Sequence, residues 1–158
     1  LVDYVIGVEA GLDSNGRKNR SGTSMEAVVE AYLEKFTATR KLTFMPQATP
    51  RKIKERWGFD IPVDKSSRSF DFAISNGKKL VLMEVNFYGG GGSKLKATAG
   101  EYKGLFDLLS IPNVEFVWVT DGEGWETTRL PLKSAYEHID YVWNLNWLSK
   151  GYLEDLFD

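Results

Sequence analysis

Ser69-Phe-Asp-Phe-Ala-Ile74, the polar link Ser75-Asn-Gly-Lys-Lys79 and Leu80-Val-Leu-Met-Glu-Val-Asn-Phe87 decide how this chain is read. Apolar and β-branched residues fill the outer segments, and the link has turn chemistry, so the three together read as a hairpin. Side chains alternate along a strand. Glu84 and Asn86 therefore share one face, Met83, Val85 and Phe87 take the other, and Asp71 opposes Phe70 and Phe72. A hairpin brings the Asp71 and Glu84 carboxylates close together. Acids in strands usually face solvent, but these interrupt segments too apolar to be exposed. Close carboxylates at strand ends suit Mg²⁺, a hard ion that takes oxygen ligands and usually keeps several waters.

Working outward, Met25, Val28, Val29, Tyr32, Leu33 and Phe36 recur three or four residues apart, which predicts a helix from about Ser21–Ser24 to Phe36. Glu26 sits on the margin of that stripe. It either points along the domain's inner edge toward the acid-bearing strands or partners the helix dipole in the first turn. Beyond the hairpin, Leu95, Ala99, Tyr102, Leu105, Phe106 and Leu109 predict a second helix from Ser93 to Leu109. Val114–Thr120 reads as a buried strand closed by Asp121-Gly122. A short helix is predicted at Leu132–Ile139, a strand at Tyr141–Leu145 and a terminal helix from about Trp147. Residues 40–68 are basic, contain Pro46, Pro50 and Pro62, and lack a long periodic stretch, so a strand or two with loops is expected there. The order of elements describes an α/β domain with a central mixed sheet flanked by helices.

Composition narrows the function. At 158 residues with five Trp, seven Tyr and nine Phe, the chain is about one domain with a substantial core. It has no cysteine and a single histidine, His138. Disulfides, Cys-ligated zinc and multi-histidine metal sites are excluded, and a reducing cytoplasm is the expected setting. No Gly-x-Ser-x-Gly elbow accompanies His138, which reads as a helix-surface residue. No apolar run approaches the roughly 20 residues of a membrane span. Leu1 rather than Met opens the chain, so a single domain lacking an upstream N-terminal region is expected.

Net charge is −2, but residues 1–103 carry +5 and residues 104–158 carry −7. That asymmetry suits a protein with one face toward a polyanion. Arg17, Lys18, Asn19 and Arg20 lie in a turn-rich loop and combine phosphate-binding charge with groups that read base edges. Arg pairs with guanine and Asn with adenine in the major groove; the competing reading is a solvated basic loop. Arg51, Lys52, Lys54 and Arg56 are either backbone contacts or plain surface. Gly89, Gly90, Gly91, Gly92, Ser93 and Lys94 lack the Gly-Lys-Ser/Thr ending of a Walker loop. Glycines there let backbone amides approach DNA phosphates at the start of a helix, and a tight strand-to-helix turn needs fewer than four of them. Trp118, Trp125, Trp143 and Trp147 read as core or dimer packing.

A strand aspartate, then a strand bearing Glu-x-Lys, then a helix and another strand is the PD-(D/E)XK nuclease arrangement, which this chain resembles through Asp71, Glu84 and Asn86. Three longer strings are more specific: Gly11-Leu-Asp-Ser-Asn-Gly-Arg-Lys-Asn-Arg-Ser-Gly22, Glu84-Val-Asn-Phe-Tyr-Gly-Gly-Gly-Gly-Ser-Lys-Leu95 and Phe116-Val-Trp-Val-Thr-Asp-Gly-Glu-Gly-Trp125. With them the chain resembles the DpnII/MboI family of type II restriction endonucleases from about Gly7 to Leu148.

The resemblance implies a PD-(D/E)XK restriction-endonuclease-like core and Mg²⁺-dependent cleavage of double-stranded DNA at unmethylated GATC, before the guanine, with 5′ overhangs and 5′-phosphate ends. It implies a homodimer on the palindrome, and a companion adenine methyltransferase that protects the same site without needing contact. Asp71, Glu84 and the Val85 carbonyl would hold the metal, Asn86 would orient the attacking water, and Glu26 would reach it from the helix side. Asn86 stands where the superfamily has lysine, as it does in the family. An amide orients water but cannot take its proton at neutral pH, so Lys94 is expected to replace the missing cation. The rivals are a repair or junction nuclease with the same metal site, an inactive sequence-specific DNA-binding module, and a purely structural interaction domain.

Overall fold

A computed structural model of the chain describes residues 23–89, 93–126 and 129–158. Its elements in chain order are α1 (Thr23–Ala38), β1 (Thr43–Ala48), α2 (Pro50–Trp57), β2 (Phe70–Ser75), β3 (Leu80–Phe87), α3 (Ser93–Leu108), β4 (Val114–Asp121), α4 (Arg129–His138), β5 (Tyr141–Trp143) and α5 (Leu145–Ser149). Short 3₁₀ turns occupy Glu123–Glu126 and Tyr152–Phe157. The five strands lie in sequence order in one sheet. β1, β2 and β3 pair antiparallel, whereas β3, β4 and β5 pair parallel. The expected α/β architecture with a mixed central sheet is therefore present.

The hairpin forms as its link predicts. Asn76 Oδ1 accepts from the Lys78 and Lys79 amides at 2.9 and 2.8 Å, and Ser75 Oγ donates to the Lys79 carbonyl at 2.7 Å. Gly77 supplies the positive φ of 89° that the turn requires. Parallel neighbours cannot be joined by a tight turn, so α3 and α4 serve as the crossovers.

Alternation along the strands then builds two cores. On one face Leu80, Leu82, Phe116 and Trp118 pack beneath Leu95, Ala99, Tyr102 and Leu105 of α3. On the other, Val81, Met83, Val85, Val117 and Val119 meet Met25, Val29, Leu33 and Phe36 of α1, together with Leu145 and Leu148. Each fully buried aliphatic or aromatic side chain contributes about 1.5–3 kcal/mol, so the helix stripes and the strand faces hold one another in place.

Residues 40–68 depart from expectation, because they contain α2 as well as β1. Thr49 Oγ1 caps that helix by accepting from the Lys52 amide at 3.2 Å, Pro50 occupies its first turn, and Gly58 closes it at φ 81°. Only Ile53 of α2 is buried, so no apolar stripe announces it. The C-terminal region also shifts. α4 begins at Arg129, β5 stops at Trp143, and α5 starts at Leu145 because Asn144 Oδ1 caps it from the Trp147 amide at 2.9 Å.

One glycine positions the end of β3. Gly122 has φ 119°, and a Cβ there would collide with the Tyr88 backbone. The close approach lets the Tyr88 amide donate to the Asp121 carbonyl and the Gly124 amide to the Tyr88 carbonyl, at 2.9 and 2.8 Å. Among the described residues no helix is long and apolar enough to cross a membrane.

Candidate active site at the fork between β2 and β3

The β2–β3 register runs from Ser75↔Leu80 to Phe72↔Met83 and stops there, while β3 continues against β4 as far as Phe87↔Asp121. At the stop, Asp71 Oδ2 accepts the Val85 amide at 2.8 Å, a side chain taking a donor that the ladder has released. The neighbouring strand is irregular at the same level. Gln47 falls between Pro46↔Phe72 and Ala48↔Phe70 and has φ 48°, a left-handed conformation unusual for a side-chain-bearing residue. Asp71 thus sits in an opening of the sheet rather than in a continuous ladder.

Glu84 enters this opening from beneath α3 and is 5% exposed. Its Oε2 accepts from the Tyr102 hydroxyl at 2.8 Å, whereas Oε1 is buried without a hydrogen-bond partner. Two residues on, Asn86 Oδ1 lies 2.7 Å from the Trp118 indole nitrogen. Indole N–H is a donor only, so the amide's oxygen must face Trp118 and its NH₂ must face away. The Asn86 amide acts on the Tyr102 hydroxyl as a nearby donor dipole, opposing the rise that burial imposes on it. The Tyr102 ring is held edge-on by Trp118 and Phe116, with centroids 5.1 and 5.9 Å away.

Burial dominates the electrostatics. It raises the Asp71 carboxyl to about 6; the Val85 amide opposes the rise, and the nearby Glu26 adds to it. Burial likewise raises Glu84 to about 8, Asp71's charge adds to this, and Tyr102 and Arg68 counteract it. Glu84 therefore holds a proton at neutral pH unless a cation compensates its charge. Among the described residues, Arg68 is a cation whose field reaches both carboxylates, and it is 5% exposed. Asp64 grips its guanidinium with bonds of 2.9 and 2.6 Å, and Glu101 bonds it from α3.

The donor set fits a hard divalent ion. Asp71 has one carboxylate oxygen outside its Val85 bond, and Glu84 Oε1 is an orphaned acceptor, whose burial is costly unless something occupies it. Among the described residues no three His, Cys, Asp or Glu side chains converge tightly enough to form a metal site unaided. Backbone carbonyl and water ligands would have to complete the coordination.

The structure brings together Asp71, Glu84, Val85, Asn86 and Glu26, the last by its direct action on Asp71. Lys94 is exposed in the first turn of α3, and Gly89, just after β3, is exposed as well. Ser93 opens α3 and is exposed too. Arg17, Lys18, Asn19, Arg20, Gly90, Gly91 and Gly92 lie outside the described residues. Arg51, Lys52, Lys54 and Arg56 are exposed on α2, where Arg51 pairs with Glu55 at 3.1 Å and Lys54 with Asp60 at 2.6 Å. His138 is at the exposed end of α4, 2.7 Å from Asp107.

Sequence reasoning missed Arg68, Tyr102 and Trp118 as members of the site. Tyr102 and Trp118 were legible only as packing residues, because their apolar rings obey the burial pattern. Arg68 lies in a polar run, Asp64-Lys-Ser-Ser-Arg-Ser69, that gives no sign of which side chain turns inward.

Comparison with known proteins supplies the lineage. The family model described as DpnII restriction endonuclease matches residues 1–155. The chain is 56% identical over 162 residues to the type II restriction enzyme LlaDCHI of Lactococcus lactis subsp. cremoris, covering 100% of this chain and 53% of that protein. It is 40% identical to the type II restriction enzyme DpnII of Streptococcus pneumoniae, covering 99% of this chain and 56% of the relative. Against the type II restriction enzyme MboI of Moraxella bovis the identity is 37%, with 99% and 53% covered. The chain thus spans about half the length of the curated relatives it matches. No solved structure matches it. With a family match over residues 1–155 and relatives up to 56% identical along the whole chain, the chain belongs to the DpnII restriction endonuclease family.

Proposed function

We propose that this chain carries the catalytic core of a Mg²⁺-dependent type II restriction endonuclease that hydrolyses phosphodiester bonds in double-stranded DNA at unmethylated GATC. Cleavage before the guanine leaves 5′ overhangs and 5′-phosphate ends. The observation that carries this reading is the fork, where Asp71 and the unpartnered Glu84 Oε1 stand together at the end of a strand pairing. The family relatives are type II restriction enzymes by name, which supports the same reaction class.

Asp71, Glu84 and the Val85 carbonyl hold Mg²⁺ in this reading. When bound, the ion lowers the pKa of a coordinated water and offsets charge on the phosphate. The chain's own groups do the rest. Asp71 stays oriented by the Val85 amide, and Glu26 reaches the site from α1. Asn86 has its oxygen committed to Trp118, so it offers N–H donors to an oxygen and cannot serve as the base. Arg68 supplies fixed positive charge behind the carboxylates, and exposed Lys94 is free to meet a DNA phosphate. The glycine run and the basic loop Arg17-Lys18-Asn19-Arg20 contact DNA. Two copies act on the palindrome, and an adenine methyltransferase modifies the same site without touching this protein.

The test is cleavage of unmethylated and adenine-methylated plasmid with Mg²⁺ or EDTA, beside Asp71→Ala. Discrete Mg²⁺-dependent fragments ending at GATC, from unmethylated DNA only and absent in the variant, are expected. If neither this chain nor a longer form with the same core cuts any plasmid, the nuclease reading falls. DNA binding without cutting would then favour a recognition module.

A further inference from the structure

We propose that Tyr102 is a positioning residue whose hydroxyl, bonded to Glu84 Oε2, turns the Glu84 carboxylate so that Oε1 faces the cation. This rests on the metal-site reading above. Free rotation of a carboxylate exchanges its two oxygens, but a hydrogen bond of 2.8 Å from Tyr102 to Oε2 breaks that equivalence. What remains is Oε1, buried and without a partner. The ring that carries the hydroxyl is itself held edge-on by Trp118, which also fixes Asn86. Trp118 donates to Asn86 Oδ1 at 2.7 Å, which turns the amide NH₂ away from Trp118 and leaves it as the group whose dipole acts on Tyr102. Tyr102 is then left with its own proton to give, and Glu84 is the acceptor within reach.

Every member of the relay is anchored by the fold. Trp118 is wholly buried in β4, Tyr102 is 5% exposed in α3, and Glu84 and Asn86 occupy alternate positions of β3. The hydroxyl adds nothing to the packing that the ring already achieves against Phe116 and Trp118. A buried hydroxyl that served packing alone would be better replaced by phenylalanine, because a polar group must find partners once it leaves water. Residues that orient a ligating side chain typically govern metal affinity by about 10- to 100-fold.

The test uses Mn²⁺ as a paramagnetic probe, counting free ion by electron paramagnetic resonance in the absence of DNA. Tyr102→Phe keeps the ring and removes only the oxygen. Its Mn²⁺ affinity is expected to fall about tenfold or more. Phe116→Leu loosens the same ring without touching the hydroxyl, and is expected to lose stability while binding Mn²⁺ as wild type does. Wild-type affinity in Tyr102→Phe overturns the inference and leaves the metal site standing. Mn²⁺ binding that is absent in wild type, or unchanged in Asp71→Asn, overturns the metal-site reading and this inference with it. Should Tyr102→Phe fail to fold, Trp118→Phe interrogates the relay one step earlier. There a several-fold weaker affinity supports the inference, and an unchanged one refutes it.

Discussion

Replacing Glu84 with glutamine should make the metal-free protein less sensitive to alkaline pH, and the size of the effect follows from burial. The wild-type carboxyl titrates near 8 in the folded chain against 4.5 when unfolded. Between those values the unfolded state has released its proton while the folded state keeps it. Stability therefore falls as pH rises through that window, by about 1.4 kcal/mol per unit. From pH 5 to pH 8 the loss attributable to Glu84 is about 3 kcal/mol. Glutamine has no proton to lose. It keeps an acceptor for Tyr102 and places an amide nitrogen where Oε1 lies unpartnered, a cost of about 1–3 kcal/mol that does not vary with pH. Asp71, raised to about 6, titrates inside this window, but it does so in both proteins, so most of its contribution cancels in the difference. Urea denaturation in EDTA at half-unit steps from pH 5 to 8.5 is the assay. The stability difference, variant minus wild type, should grow by about 3 kcal/mol across that range. Saturating Mn²⁺ should reverse the wild-type loss at high pH and leave the variant largely unmoved. Parallel stability curves for the two proteins would show that Glu84 is not the buried, proton-retaining acid described above.

Gly122→Ala should destabilise the chain by more than about 3 kcal/mol, because it combines a left-handed φ with a collision against the Tyr88 backbone; urea denaturation at pH 6 checks it, and a loss under about 1 kcal/mol would mean the turn relaxes freely. Arg68→Gln should cost only about 1–2 kcal/mol in denaturation, since the side chains of its partners Asp64 and Glu101 are 30% and 41% exposed and can be hydrated. The same variant removes positive charge that holds both site carboxyls down, so a higher pH will be needed to free them of protons. Its Mn²⁺-binding curve should shift to higher pH, and an unshifted curve would remove Arg68 from the site.

The frame was legible because it depends on periodicity. Alternation placed Glu84 and Asn86 on one face, and the stripe from Met25 to Phe36 fixed the helix from which Glu26 acts on the Asp71 carboxyl. Helix α2 escaped because a helix with only Ile53 buried has no stripe, although Thr49-Pro50 and Gly58 were start and stop signals in plain view. The polar interior of the site escaped for a different reason. Tyr102 and Trp118 satisfy a hydrophobic pattern through their rings, and nothing in that pattern tells where an O–H or N–H points. Arg68 was hidden further still, since its burial depends on Asp64 from its own loop and Glu101 from a distant helix meeting at one guanidinium. Nearness along the chain points to Lys94, whereas Arg68, which precedes β2, reaches the carboxylates only through the fold.

The bond from the Val85 amide to Asp71 has a practical consequence. A backbone nitrogen hydrogen-bonded directly to a titrating carboxylate is a spectroscopic reporter supplied by the chain itself. Its ¹⁵N and ¹H shifts should follow the Asp71 proton, and a diamagnetic ion bound to the same carboxylate should move them in a pattern distinct from titration. Selective ¹⁵N-valine labelling would make that one signal a readout of site occupancy, obtained without DNA, without turnover and without altering a single side chain.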